Sequence, residues 1–364
     1  MKNTKQMKID QWGIGITPLM LRSDSMSIKP IEEINNASNK TYSQDWVAYN
    51  KAQTQEKILF LELLHELCNQ IPQPKRIGVG RPQTSYKEMI FSCCLKTYLN
   101  FSSRRSSSDV KIAQQMGYLS HQPHFNTILK YLRKPVLSKI LGKLIEASAL
   151  PLKQVEEDFT MDASGFSTVM FKQWLEKRNK FSEYKKFKKA HVMSGVKTNV
   201  ITHIEVTDGY VHDSKMLEIL VKSTAEHFVM KEVSADKAYS SKKNLQIIAC
   251  LGAIPFIPFK KNVRSNPDDS LVIWRVMYRF FKDHKKEFLE HYHKRSNAES
   301  VFSMIKRKFG DNVRAKDTVA QVNEVLCKAL CHNICVLIQE MFELGIQIDF
   351  SEVATDEFMC KIEL

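Results

Sequence analysis

No stretch of this chain stays apolar over the roughly 20 residues that a membrane-spanning helix needs. The most apolar one, Val325 to Phe342, is interrupted by Lys328, His332, Asn333, Gln339 and Glu340, and reads as a buried helix. Residues Met1 to Ile14 are polar and lack the apolar centre of a signal peptide. No membrane partner is therefore expected. Nothing matches the G-x-x-x-x-G-K-[ST] phosphate loop, and Gly78 and Gly80 have neither a third glycine nor a following helix, so no nucleotide cofactor is expected. No internal repeat is visible. Without a secretory signal, the eight cysteines read as reduced thiols of a cytoplasmic protein.

What the chain does have is positive charge. Its 54 Lys and Arg outnumber 40 Asp and Glu, giving a formal net charge of +14 over 364 residues. That excess favours a polyanionic partner, nucleic acid first and an anionic membrane surface second. Hydrophobic residues make up 43%, enough for a packed core, and the length suits two domains or one with an appendage.

The pattern along the chain divides it into a polar arm (1–45), a mostly helical segment (46–151), an α/β segment (152–345) and a short tail (346–364). Ile58, Leu61, Leu64 and Cys68 recur at helical spacing in the first helix. After Pro151 the pattern predicts strands at Phe159–Phe166, His191–Lys197 and Val200–Val206. It then predicts a helix at Asp213–Ser223, a strand at Glu232–Ala235, a helix at Ser241–Leu251 and a strand at Ala253–Phe259. Helices at Ser270–Leu289, Ser296–Phe309 and Val319–Phe342 complete it. Three strands, then αβαβ, then helices, match a ribonuclease-H-like arrangement: a mixed sheet flanked by helices on both faces, preceded here by a helical N-terminal domain.

Three carboxylates stand where a ligand could approach such a sheet. Asp162 lies in the first strand, Asp236 directly after Val233-Ser234-Ala235, and Glu299 on a helix. Clustered carboxylates repel and call for cations. Mg2+, with Mn2+ able to substitute, is the expected ion, and two ions can clamp the attacking and leaving oxygens of a phosphodiester. On the helical wheel Arg295, Glu299 and Lys306 fall within about 40° of one another. Ala298, Phe302, Ile305 and Phe309 form the adjoining apolar stripe. Arg295 can orient the Glu299 carboxylate one turn away, and Lys306 can reach a phosphate.

The run Tyr292-x2-Arg295-x3-Glu299-x6-Lys306 resembles the signature of bacterial and archaeal insertion-sequence transposases of the DDE class. Asp236-Lys-Ala-Tyr239 and Asp162-Ala-Ser164 resemble that family's second and first motifs, and Val206 to Ser214 its strand-to-helix turn. The resemblance runs from about Asp162 to Asn333. It implies catalytic roles for Asp162, Asp236, Glu299, Arg295, Lys306 and Tyr292, with the three acids as metal ligands. It further implies cleavage at transposon terminal repeats, joining of 3′ ends to target DNA, a homodimer when two ends are paired, and association with the nucleoid. The spacer between Asp236 and Glu299 is short and leaves little room for the large β insertion some members carry, which puts a hairpin-making mechanism in doubt. A metal-dependent nuclease without strand transfer, and a transposase-derived DNA-binding protein without catalysis, are the rival functions.

Two surfaces suit double-stranded DNA. The segment Phe171 to Ala190 carries Lys172, Lys177, Arg178, Lys185, Lys186, Lys188 and Lys189 with interleaved aromatics, and reads as a phosphate-tracking loop or a merely solvated one. Asp109 to Leu132 reads as a helix-turn-helix, with Asp109 as first cap and Pro123-His124 opening the second helix, or as plain three-helix packing. Arg104 and Arg105 add charge beside it. Cys327, Cys331 and Cys335 advance along one helical face with His332 turned away, which favours a core stripe over a zinc site. Trp274 on an apolar helix is expected in the core.

Overall fold

The computed structural model describes residues 45–72, 84–168, 187–260, 263 and 271–350. Five helices come first: α1 (Trp46–Asn69), α2 (Tyr86–Tyr98), α3 (Ser107–Gln115), α4 (Phe125–Leu132) and α5 (Pro135–Ala149). Asp45 starts α1 by accepting from the Val47 and Ala48 N–H groups, both at 3.0 Å. His124 caps α4 through the Asn126 N–H. Asp109, expected as a cap, lies instead inside the first turn of α3, which begins at Ser107.

The sheet has five strands in the order β3-β2-β1-β4-β5: β1 (Asp158–Ser167), β2 (Phe187–Gly195), β3 (Ile201–Asp208), β4 (Glu232–Ala235) and β5 (Ile254–Phe256). β1, β2 and β3 form an antiparallel meander, whereas β4 and β5 add in parallel through α6 (Leu217–Ala225) and α7 (Lys242–Cys250). The chain is thus a mixed α/β fold with a helical N-terminal region. At Gly195 any Cβ would overlap the carboxylate of Glu156, which accepts from the Lys197 and Thr198 N–H groups and closes the β2–β3 turn.

The helix expected over Ser270–Leu289 is two helices, α8 (Val272–Asp283) and α9 (Lys285–Tyr292), broken at His284. The break brings Phe288 back against Phe280 and Phe281, with ring centroids 5.9 and 5.0 Å away, and Phe280 and Phe288 pack with Phe256 of β5. α10 (Ser296–Phe309) and α11 (Thr318–Glu343) follow.

α11 is the one described helix long and apolar enough to cross a membrane by composition, but 78% of its most apolar window is buried. It packs on α5, α1 and α2, and also on β3. Helical segment and sheet therefore share one contiguous core. Two buried amides pin it. Asn333 accepts from the Ile201 N–H and donates to Ile201 O and Ser148 Oγ. Asn323 donates to the carbonyls of Leu132 and Lys134 and accepts from Ser138. Burying such groups is tolerable because they are satisfied. Cys327 and Cys331 are buried in the same core, with the Cys331 thiol against the Cys94 carbonyl. His332 turns to the Asn199 carbonyl, and burial lowers its pKa to about 4. Trp274 is buried edge-on to Phe259.

Candidate active site

Parallel pairing of β1 with β4 places Met161 opposite Ala235, and Asp162 and Asp236 are each the next residue. Two carboxylates thus leave adjacent strands at the same level, which the sequence order alone could not show. Asp236 ends its strand and accepts from the Lys237 N–H at 2.6 Å, opening a single helical turn that runs to Tyr239.

Glu299 comes from the first turn of α10, whose buried residues Ala298, Val301, Phe302, Ile305 and Phe309 hold the helix against the sheet. Arg295 joins the acids: its Nη1 donates to Glu299 Oε1 at 2.9 Å and its Nη2 lies 3.8 Å from Asp162 Oδ1. The Asp162 carboxyl is held above its usual range by burial, and then by Glu299 and Asp236, with the Ala163 N–H and Arg295 opposing. The Tyr292 phenol, half buried at the end of α9, is likewise raised by burial, with Arg295 opposing and the charges of Asp236 and Glu299 adding. Arg295 thus joins Glu299 to Asp162, with Asp236 at the same level on the neighbouring strand and Tyr292 beside Arg295. Among the described residues no three His, Cys, Asp or Glu side chains stand so as to enclose a metal ion. Glu299 is 62% exposed and bonded to Arg295.

Lys306 behaves differently from its expected role. It points to the sheet, donating to Ser164 Oγ at 2.7 Å with its ammonium 5.5 Å from the centre of the Phe166 ring. Burial lowers its pKa, against the pull of Asp311 and Asp162. It ties α10 to β1 two residues beyond Asp162.

One feature was missed in the sequence. Lys294 bridges Asp158 and Glu232, the first residues of β1 and β4, at 2.6 and 2.7 Å, and His291 adds a 2.9 Å contact to Glu232. This bridge clamps the turn carrying Arg295 to the sheet. Its only signal was a lysine between Tyr292 and Arg295. Tyr239, the tyrosine of the second motif, is fully buried, its hydroxyl has no hydrogen-bond partner among the described residues, and burial followed by Asp213, Asp162 and Asp236 holds its phenol far above the usual range. Asp213 pairs with Lys189 and His191.

The basic loop needs correction at its end. Lys188 and Lys189 lie on β2, not in a loop. Lys188 sits opposite Asp208 in the β2–β3 register, and the two form a 2.6 Å ion pair that leaves Lys188 buried. Lys172, Lys177, Arg178, Lys185 and Lys186 lie outside the described residues. Arg104 and Arg105 are exposed ahead of α3, over the rings of Phe125 and Phe101.

Residues 153–334 match the Transposase DDE domain family. Over 182 residues the chain is 26% identical to a protein of Archaeoglobus fulgidus described as a probable transposase for insertion sequence element ISA1214. That match covers 50% of this chain and 53% of the relative, so the chain spans about half the length of its curated relative. No solved structure matches it significantly. Members of the family generally cut and join DNA with divalent metal ions. With half of its length matched, and with Asp162, Asp236 and Glu299 all inside the match, the chain belongs to the Transposase DDE domain family.

Proposed function

We propose that this chain is a DNA transposase of ribonuclease-H-like architecture that cleaves at transposon terminal repeats and joins the freed 3′ ends to target DNA. The sheet order, with two parallel strands added beside an antiparallel meander, supports the architecture. The observation that carries the function is the meeting of Asp162 and Asp236 at one level of adjacent parallel strands, with Arg295 linking Asp162 to Glu299.

The donor set suits Mg2+ or Mn2+ in kind: three hard carboxylate oxygen donors, with Asp162 disfavoured as an anion first by burial and then by Glu299 and Asp236. When bound, a pair of such ions would polarise the scissile phosphodiester and activate the attacking oxygen. Asp162 and Asp236 would hold them from the sheet and Glu299 from α10. Arg295 orients Glu299, Lys294 fixes the turn bearing Arg295, and Lys306 holds α10 to β1. Cleavage and joining can share the site because both are in-line phosphoryl transfers. The segment 46–151 is read as the end-binding part, with two copies pairing two ends.

The test uses Asp162→Asn, Asp236→Asn and Glu299→Gln on a duplex carrying the terminal inverted repeat identified by sequencing the DNA that flanks the reading frame. Each variant should bind that duplex as the wild type does and lose cleavage, and chelation should do the same to the wild type. Cleavage by any variant near the wild-type rate removes its residue from the site. Joining of a pre-cut end to a plasmid distinguishes a transposase from a nuclease, and binding without any cleavage would identify a binder alone.

A further inference from the structure

A second cationic site lies away from the acids. A cavity of about 410 Å³ opens where the helical segment meets the turn between α10 and α11. Lys96, Arg104, Arg133, Arg314 and Lys316 line it. Lys96 is only 4% exposed, and its side chain forms no hydrogen bond or ion pair with any described residue. A buried ammonium is costly unless something compensates it. Arg314 donates from Nη2 to the Asn100 carbonyl at 3.0 Å, while its Nε is buried without a partner among the described residues. Arg104 is held over the Phe125 ring at 5.3 Å, which keeps its guanidinium at the rim. Arg104, Arg133 and Lys316 are exposed and enter no ion pair among the described residues.

Two carboxylates also line the cavity, and both are engaged by backbone. Asp317 caps α11 through the Val319 and Ala320 N–H groups. Glu324 accepts from the N–H groups of Arg314 and Ala315. The net result is a recess with surplus positive charge, a largely buried lysine outside any ion pair, and Ser102 and Ser103 beside it.

We propose that this recess binds a backbone phosphate of duplex DNA. The proposal rests on the reading of DNA as substrate. Surplus cations around a single recess suit a phosphodiester, which brings one negative charge and two free acceptor oxygens. The position gives the contact a purpose. Arg314 and Lys316 belong to the turn directly after α10, the helix that carries Glu299. From Glu299 to the end of that helix is about 15 Å. A phosphate gripped in the recess would fix the duplex at once against the helical segment and against the helix bearing the third acid.

The experiment measures binding of the full chain to a fluorescein-labelled duplex of random sequence, by anisotropy, across a salt series. Lys96→Met, Arg133→Gln and Lys316→Gln are compared with Lys222→Gln, a surface change on α6 far from the recess. Each of the three recess variants should bind about three- to tenfold more weakly and lower the slope of log affinity against log salt by about one. Lys222→Gln should stay within about twofold of wild type. Arg133 and Lys316 are exposed, so their variants report even if Lys96→Met disturbs folding. Wild-type affinity and slope in all three variants, with the wild type binding, would overturn the recess as a phosphate site and leave DNA as the substrate. Failure of the wild type to bind any duplex would overturn both readings.

Discussion

Arg295→Ala offers the sharpest test of how the site is built. The guanidinium is the one cation shared by two of the three acids, at 2.9 Å from Glu299 and 3.8 Å from Asp162. At an effective dielectric of about 20, a pair at that second distance attracts by roughly 4 kcal/mol. Arg295 and Asp162 are 21% and 20% exposed, so solvent screening reduces this to about 2 kcal/mol. Glu299 is 62% exposed, and its bond to Arg295 adds less than about 1 kcal/mol. A loss of about 2 kcal/mol at the reacting centre slows single-turnover cleavage about 30-fold at saturating DNA. The loss should grow toward low pH. Burial, Glu299 and Asp236 already raise the Asp162 carboxyl, and Arg295 is among the groups holding it down. Without Arg295 that carboxyl protonates at higher pH, and the acid limb of the rate profile moves upward. Arg295→Lys keeps the charge without the two-pronged geometry and should fall between. DNA affinity and the unfolding midpoint should hardly change. A near wild-type rate in Arg295→Ala, with an unmoved acid limb, would refute the reasoning and reduce Arg295 to a surface charge.

Three further outcomes are expected. Lys294→Met leaves Asp158 and Glu232 facing each other without the ammonium that bridges them, and should destabilise the fold by about 2–3 kcal/mol in urea unfolding; an unchanged midpoint would show that the clamp is not structural. Asn333→Ala strips hydrogen bonds from Ile201 N, Ile201 O and Ser148, and should lower stability by about 2–4 kcal/mol in thermal unfolding. Burial of His203 favours its neutral ring, but Glu146 and Glu205 outweigh it and raise the pKa to about 9, above the usual 6.5. Its contribution is therefore complete below about pH 6.5 and is lost as pH rises toward 9, a fall of about 2–3 kcal/mol that His203→Gln should flatten.

The local periodicities were legible because they are written in neighbouring residues. The β4 strand and α10 were read with the bounds they have, since alternation and the apolar stripe of α10 are local properties. The three acids and Arg295 could be named because a helical face fixes the spacing of Arg295 and Glu299. The polar interruptions of helix α11 pointed to a buried helix, but its composition also suits a membrane span, and it is the packing that buries 78% of its most apolar window.

What stayed hidden depends on contacts between distant residues. That Asp162 and Asp236 share a level follows from the register of β1 against β4, and a one-residue slip would have turned one carboxylate to the opposite face. The break at His284 arises because Phe288 must return to Phe280, a packing demand that periodicity does not record. Lys188 looked like one more cation in a basic run until cross-strand pairing set it against Asp208. Lys306 lies on the face the sequence assigns it, but the hydroxyl it meets belongs to β1. The recess around Lys96 draws on α2, α4 and the turn before α11, three segments that only the folded core brings together. The sequence alone determined which groups could act, through their chemistry and their spacing on single elements. The tertiary structure decided which of them meet, because strand register and helix packing bring together groups far apart in the chain.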